Sequence, residues 1–282
     1  LREELPRMGV EVSFADATSA RAVAEAICPE TRLVMVEAIA NPTLAVADME
    51  AIETACRERG VLLAVDNTFT TPALFRPLAR GADIVIHSVT KLLAGHSDAT
   101  LGWVGVRDEA VARRLYDVAV SWGMTPSPFD CWLAERGLQS FELRLSRAQE
   151  TAGRLADHLA TLPGVEAVLY PARADHPQHA RAMALTGGQG GNMVSFRLEA
   201  GRAAANRFIR AAPDLPFAPT LGDVATTLSH PASSSHRGMT PEGRAALGIT
   251  EGFIRVSVGI EDAELLLPEF TAAVTAAREA AA

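Results

Sequence analysis

The chain has 282 residues, 48% of them hydrophobic and 21% charged, a globular composition long enough for one large domain or two smaller ones. No apolar run reaches the roughly 18 residues of a membrane-crossing helix. A formal net charge of -8 without a Lys/Arg run argues against nucleic acid as a partner. Three cysteines, Cys28, Cys56 and Cys131, are far apart and form no CxxC pair, so they are expected as reduced, mostly buried thiols of a cytoplasmic protein. The chain opens on Leu1, and nothing in LREELPRMG reads as a signal or transit peptide. It is therefore expected to begin inside a longer protein, without that protein's N-terminal part.

VEVSFAD (10–16) reads as a strand and TSARAVAEAIC (18–28) as a short helix capped by Thr18 or Ser19. RLVMVEAI (32–39) is a near-continuous apolar run, as in a strand buried on both faces. Asp48 is placed to cap the helix DMEAIETACRERG, which Gly60 stops. VLLAVD (61–66) is the next buried strand. A loop and short helix through RPLARG lead to the strand ADIVIHS (82–88), and TLGWVGV (100–106) is strand-like again. Alternating strand and helix with apolar strands predicts an α/β fold with a mostly parallel sheet between helices.

From Pro128 to about Leu162 the period is helical, with Gly137 as a candidate break. After Pro163-Gly164 come the short strands VEAVLYP and NMVSFRLE, the helix AGRAAANRFIRAA, the strand FIRVSVGIE (253–261) and a final helix, LLPEFTAAVTAAREAA. This half predicts a smaller α+β domain joined through the long helix, with 1–145 as the large domain and 146–282 as the small one. The Ala-rich tail is a good helix former.

In parallel α/β sheets, ligands bind beyond the carboxyl ends of the strands. Three strands run there into polar residues: Asn41, Asp66-Asn67-Thr68, and Ser88-Val89-Thr90-Lys91. Taken singly, Asp66 could cap a loop and Lys91 could be a solvated surface lysine. Together they say more. Apolar neighbours around Lys91 would lower its pKa and make it a usable nucleophile or base. A Schiff-base lysine, with a carboxylate against a pyridinium nitrogen, is what pyridoxal phosphate requires. Ser88 and Thr90 flank the lysine at a spacing suited to a phosphate.

The segments VEAIANPTL, VDNTFTTP, ADIVIHSVTKLLAGHSDATLG, LGDVATTLSHPASSSH and FIRVSVGIED resemble, in order, the Cys/Met-metabolism family of pyridoxal-phosphate enzymes. This family includes cystathionine synthases and lyases, methionine γ-lyase and homoserine-ester sulfhydrylases. The resemblance implies a fold-type I pyridoxal-phosphate domain and pyridoxal 5'-phosphate as cofactor. It implies Lys91 as the lysine that carries the cofactor and moves protons, Asp66 on the pyridine nitrogen, and Asn41 beside the ring hydroxyl. Ser88 and Thr90 would bind the phosphate, Arg255 the substrate carboxylate, and Thr226 would lie near the lysine and the substrate. The implied activity is β/γ-elimination or γ-replacement on sulfur amino acids or activated homoserine, by a cytoplasmic homo-oligomer (dimer or tetramer). Gly222-Asp223-Val224-Ala225-Thr226 lacks the glutamate of a Gly-Gly-x-Glu-Ser segment, which leans away from cystathionine γ-lyase and toward methionine γ-lyases and sulfhydrylases. In the family, phosphate contacts from a neighbouring subunit and a tyrosine stacked on the ring lie upstream of Leu1, so this chain alone is expected to bind the cofactor weakly and to be inactive. An aminotransferase of the same broad fold, or an inactive scaffold, is the alternative.

Three other stretches are read as structural. HPQH (176–179) is a helix start, with no metal site expected, and TGGQGGN is a turn because it precedes a strand. SHPASSSH (229–236) has no nucleophile elbow, and His230 and His236 are taken as structural.

Overall fold

The computed structural model describes residues 2–279. One turn of helix, α1 (Glu4–Arg7), and then α2 (Ala20–Ala26) precede the first strand. Ser19 caps α2, its hydroxyl accepting from the Ala22 amide at 3.3 Å. Residues 10–16, expected as a strand, form none. Apolar alternation makes a strand only where another strand lies alongside, and none does here among the described residues.

The parallel strands β1 (Leu33–Glu37), β2 (Leu62–Asp66) and β3 (Ile84–Ser88) lie side by side in that order. Between β1 and β2 runs α3 (Met49–Arg59), ended by Gly60. Asp48 stands at its N-cap, yet its carboxylate bonds no helix amide and takes Arg181 instead, at 2.9 Å. Between β2 and β3 come α4 (Thr71–Leu74) and the 3₁₀ turn Pro77–Arg80. β4 (Gly102–Val106) closes the sheet antiparallel to β3, with Ser88 opposite Gly102. The expectation that β1 is buried on both faces does not hold. Val36 packs inward against Ile52, Cys56, Leu63 and Val65, while Leu33 and Met35 on the other face are 48% and 47% exposed. The cysteines also differ from expectation: Cys56 is buried, but Cys28 and Cys131 are exposed free thiols.

The sequence reading missed α5 (Glu109–Ser121), whose first turn is capped by Asp108 accepting from the Val111 amide at 2.9 Å. No residue of α5 is buried. The helical region that follows divides at Gln139–Ser140, close to Gly137, into α6 (Pro128–Leu138) and α7 (Phe141–Thr161). α7 crosses the expected 145/146 boundary. Phe141 and Leu145 pack with Leu92 of the first half, and Ala152, Leu155, Ala156 and Leu159 pack into the core of the second.

The second half comprises β5 (Val165–Leu169), α8 (His179–Thr186), β6 (Met193–Leu198), α9 (Gly201–Ala211), β7 (Thr227–Ser229), α10 (Pro241–Ala246), β8 (Phe253–Ser257) and α11 (Ala263–Glu279). Its sheet is antiparallel in the order β5-β6-β8-β7. Helices α7, α9 and α11 meet it over a core containing Phe196, Phe208 and Phe270, all 0% exposed. The Phe196 and Phe208 rings pack edge-on with centroids 5.3 Å apart. The last two residues of the final helix expected from the sequence, 280–281, lie outside the described residues.

Candidate active site

β2 and β3 deliver their polar ends to the same edge of the first sheet, because they are parallel neighbours with Asp66 in register with Ile86. There the Asp66 carboxylate accepts from the Thr68 amide at 3.0 Å. The Thr68 hydroxyl in turn accepts from the Ser88 amide at 2.9 Å, tying the two strand ends together. Glu37 is the register partner of Asp66 on β1. Its carboxylate accepts from the Asn41 amide at 2.9 Å and so holds the loop that carries Asn41.

After Ser88 the chain makes a single turn, in which the Gly95 amide donates to the Lys91 carbonyl at 2.8 Å and the Ala94 amide to Val89 at 2.9 Å. A second segment, 220–224, passes directly against this turn. A Cβ on Gly222 would fall 2.5 Å from the Leu92 amide nitrogen, and its φ is +80°, so only glycine fits. That approach brings Thr220 to the lysine, where Lys91 Nζ donates to Thr220 Oγ1 at 3.1 Å. Burial, and then the nearby Arg255 charge, hold the Lys91 amine below the ordinary lysine range.

Arg255 lies on β8 between Ser195 of β6 and Ser229 of β7, and is 4% exposed. Nη1 donates to Asn41 Oδ1 at 2.8 Å, Nη2 donates to the Thr220 carbonyl at 2.7 Å, and Nε has no partner among the described residues. Burial lowers its pKa to about 10, so it stays positive at neutral pH. A buried cation bonded only to neutral acceptors is unfavourable by itself, and an incoming carboxylate offsets that cost.

The structure thus joins Lys91 to Arg255 through Thr220, which sequence reasoning passed over, and Arg255 in turn holds Asn41. The signal was available as a hydroxyl two residues before the glycine of LGD. Thr226, chosen instead, is 0% exposed and faces elsewhere. Its hydroxyl donates to Glu261 Oε2 at 2.7 Å and accepts from the Gly259 amide at 2.9 Å. The hydroxyl beside the lysine is that of Thr220, and Thr226 pins Glu261 and the turn after β8. Ser88 ends β3 with its hydroxyl bonded to no other described residue. Thr90 differs. Its hydroxyl accepts from the Leu101 amide at 2.9 Å and donates its one proton to the Leu101 carbonyl at 3.2 Å. Asn67 is buried and donates to the Thr71 and Phe75 carbonyls at 3.0 and 2.8 Å, shaping the loop after β2. His230 lies 2.6 Å from Ser233 Oγ and 2.9 Å from the Glu251 carbonyl. His179 opens α8.

Residues 1–275 match the profile of the family described as Cys/Met metabolism PLP-dependent enzyme. The chain is 41% identical over 272 residues to the cystathionine beta-lyase MetC of Bacillus subtilis (strain 168), covering 96% of this chain and 69% of that protein. It is 39% identical over 277 residues to an L-methionine gamma-lyase of Pseudomonas putida, covering 98% of this chain and 69% of that one. Among solved structures, cystathionine gamma synthase from Xanthomonas oryzae pv. oryzae in complex with cystathionine aligns with a TM-score of 0.90 at 41% identity, over 94% of this chain and 68% of that chain.

The residues present fit pyridoxal 5'-phosphate. They supply an amine of lowered pKa, a carboxylate at the neighbouring strand end, the hydroxyl of Ser88 at the end of β3, and a buried guanidinium whose Nε has no partner among the described residues.

Proposed function

Because the chain belongs to the Cys/Met-metabolism family of pyridoxal-phosphate-dependent enzymes, we propose that it catalyses β- or γ-elimination or γ-replacement on cystathionine, methionine or an activated homoserine. The observation that carries this reading is the Lys91–Thr220–Arg255 chain. In it an amine of lowered pKa and a buried guanidinium without an acidic partner share one threonine, at 3.1 and 2.7 Å.

In this reading Arg255 takes the substrate α-carboxylate, with Asn41 and the Thr220 carbonyl fixing the plane of its fork. Lys91 is the residue that binds the cofactor and moves protons. With its pKa lowered by burial and then by the Arg255 charge, its Nζ accepts the α-proton. Thr220 accepts one Nζ–H and so sets the direction in which the amine lone pair points. Asp66, fixed by the Thr68 amide, would hold the ring nitrogen of the cofactor, and the Ser88 hydroxyl would hold its phosphate. Pyridoxal 5'-phosphate supplies, when bound, a protonated ring that withdraws the negative charge left at the substrate α-carbon. Thr90, whose hydroxyl donates to the Leu101 carbonyl and accepts from its amide, anchors the lysine turn to the residue before β4.

The exposed free thiols Cys28 and Cys131 favour a reducing compartment, the cytoplasm. Among the described residues no helix is long and apolar enough to cross a membrane. The exposed apolar side chains of Tyr116, Val120 and Trp122, at 69%, 60% and 64%, support assembly as a homo-oligomer.

Lys91→Ala in the cofactor-loaded protein tests the assignment. The visible band of the bound cofactor disappears, and turnover of cystathionine, methionine and O-acylhomoserines falls by about 10²–10⁴-fold. Released thiol and 2-oxo acid, without an added amino acceptor, mark elimination. Retention of both band and turnover in that variant would sink the assignment.

A further inference from the structure

We propose that Arg144, on the first turn of α7, is a positioning residue for the reaction: its guanidinium grips the turn that carries Lys91 and thereby fixes where the lysine amine lies. The proposal rests on Lys91 being the reacting amine, as argued above.

The lysine turn is not continued as a helix, so the carbonyls of Leu92 and Leu93 receive no amide from residues further along, as the last carbonyls of any helix do not. Arg144 supplies the missing donors. Nη1 donates to the Leu92 carbonyl at 2.8 Å and Nη2 to the Leu93 carbonyl at 3.0 Å. Nη2 also reaches the Gly137 carbonyl near the end of α6 at 2.9 Å, and Nε donates to Ser140 Oγ at 3.0 Å. One rigid planar fork therefore joins the lysine turn, α6 and the start of α7, which a lysine's single ammonium cannot reproduce. The side chain is 7% exposed, and all four bonds go to neutral oxygens.

The fit around the fork is close. A Cβ on Gly95 would fall 1.9 Å from Arg144 Nη1, so the guanidinium occupies the space that a side chain at 95 would fill. The 220–224 segment holds the same turn from another direction, through the Val224 amide donating to the Gly95 carbonyl at 2.9 Å and through the backbone approach at Gly222. The Lys91–Thr220 hydrogen bond spans the two, because Thr220 belongs to that segment. Releasing Arg144 lets the turn shift against Thr220, and a misplacement of about 1 Å at a reacting group costs up to about 10²-fold in rate.

Arg144→Met removes the donors and keeps the packing of the stem, while Arg144→Lys keeps the charge without the fork. In the cofactor-loaded enzyme we expect Arg144→Met to lower kcat about 10- to 100-fold with KM nearly unchanged, and to move the acid limb of the kcat–pH profile. In the protein without cofactor, amide exchange at Ala94 and Gly95 should accelerate about tenfold while β6 and β8 exchange as in the wild type. Arg144→Lys should fall between the two. Unchanged exchange at Ala94 and Gly95 overturns the proposal. So does a kcat loss that only follows the folded fraction, with the pH profile intact. If Arg144→Met does not fold, Arg144→Lys and Ser140→Ala, which frees Nε, carry the same readings. Exchange in the cofactor-free protein reports on the grip whatever Lys91 does, whereas Lys91→Ala reports on the reading of the site, so the two can fail separately.

Discussion

The two sheets of this protein are built to different depths. Every residue of β8 is buried, as are five of the six in β6, whereas no residue of β4 is, and β1 has only Val36. The second sheet is enclosed by α7, α9 and α11 around a phenylalanine cluster, and it carries Arg255 at a fixed place. The first sheet carries the reactive turn at its edge, and that turn is fixed by side chains and backbone arriving from α7 and from segment 220–224. The enclosed sheet acts as the platform, and the site forms where the open one is tied to it.

Phe196→Ala breaks the platform directly. Loss of a 0% exposed ring that packs with both Phe208 and Phe270 should cost about 3–5 kcal/mol in urea or thermal unfolding. A loss near zero would show that the second sheet is not the stabilising half. Arg255→Gln keeps the platform and removes its charge. kcat/KM should fall by the equivalent of about 2–5 kcal/mol, with unfolding less affected. Arg255 is also one cause of the lowered Lys91 pKa, so its removal raises that pKa. The neutral amine is then reached only at higher pH, and the acid limb of the rate profile moves upward; an unmoved limb would deny the coupling between the two halves. Thr226→Val leaves the Gly259 amide without its acceptor and should cost about 1–3 kcal/mol of stability. Its effect on kcat should be small, in contrast to Thr220→Val. The smallest change is expected at Met35, which is 47% exposed on the open face. Met35→Ser should stay within about 0.5 kcal/mol, and a larger loss would mean that this face is covered in solution.

The alternation of strand and helix and the strand ends that carry Asp66 and Lys91 are legible along the chain, because each is local, a matter of periodicity and of which residue types follow an apolar strand. The arginine of FIRVSVGIE is marked by the family resemblance. The family resemblance rested on the same stretches. Where a pattern needs a partner, the local reading went astray: 10–16 alternates like a strand but has none beside it, and the outer face of β1 is uncovered. Only the tertiary structure decided which hydroxyls face the lysine. Thr220 and Thr226 belong to one loop and look equivalent in sequence, yet the first reaches an amine 129 positions away and the second turns to Glu261. Thr90 is one residue from Lys91 and spends its proton on Leu101. Arg144 alternates with apolar residues in ELRLSRAQ as a solvated charge does, but is buried beneath the lysine turn. The direction of a side chain depends on how distant segments pack, and spacing along the chain carries no record of that.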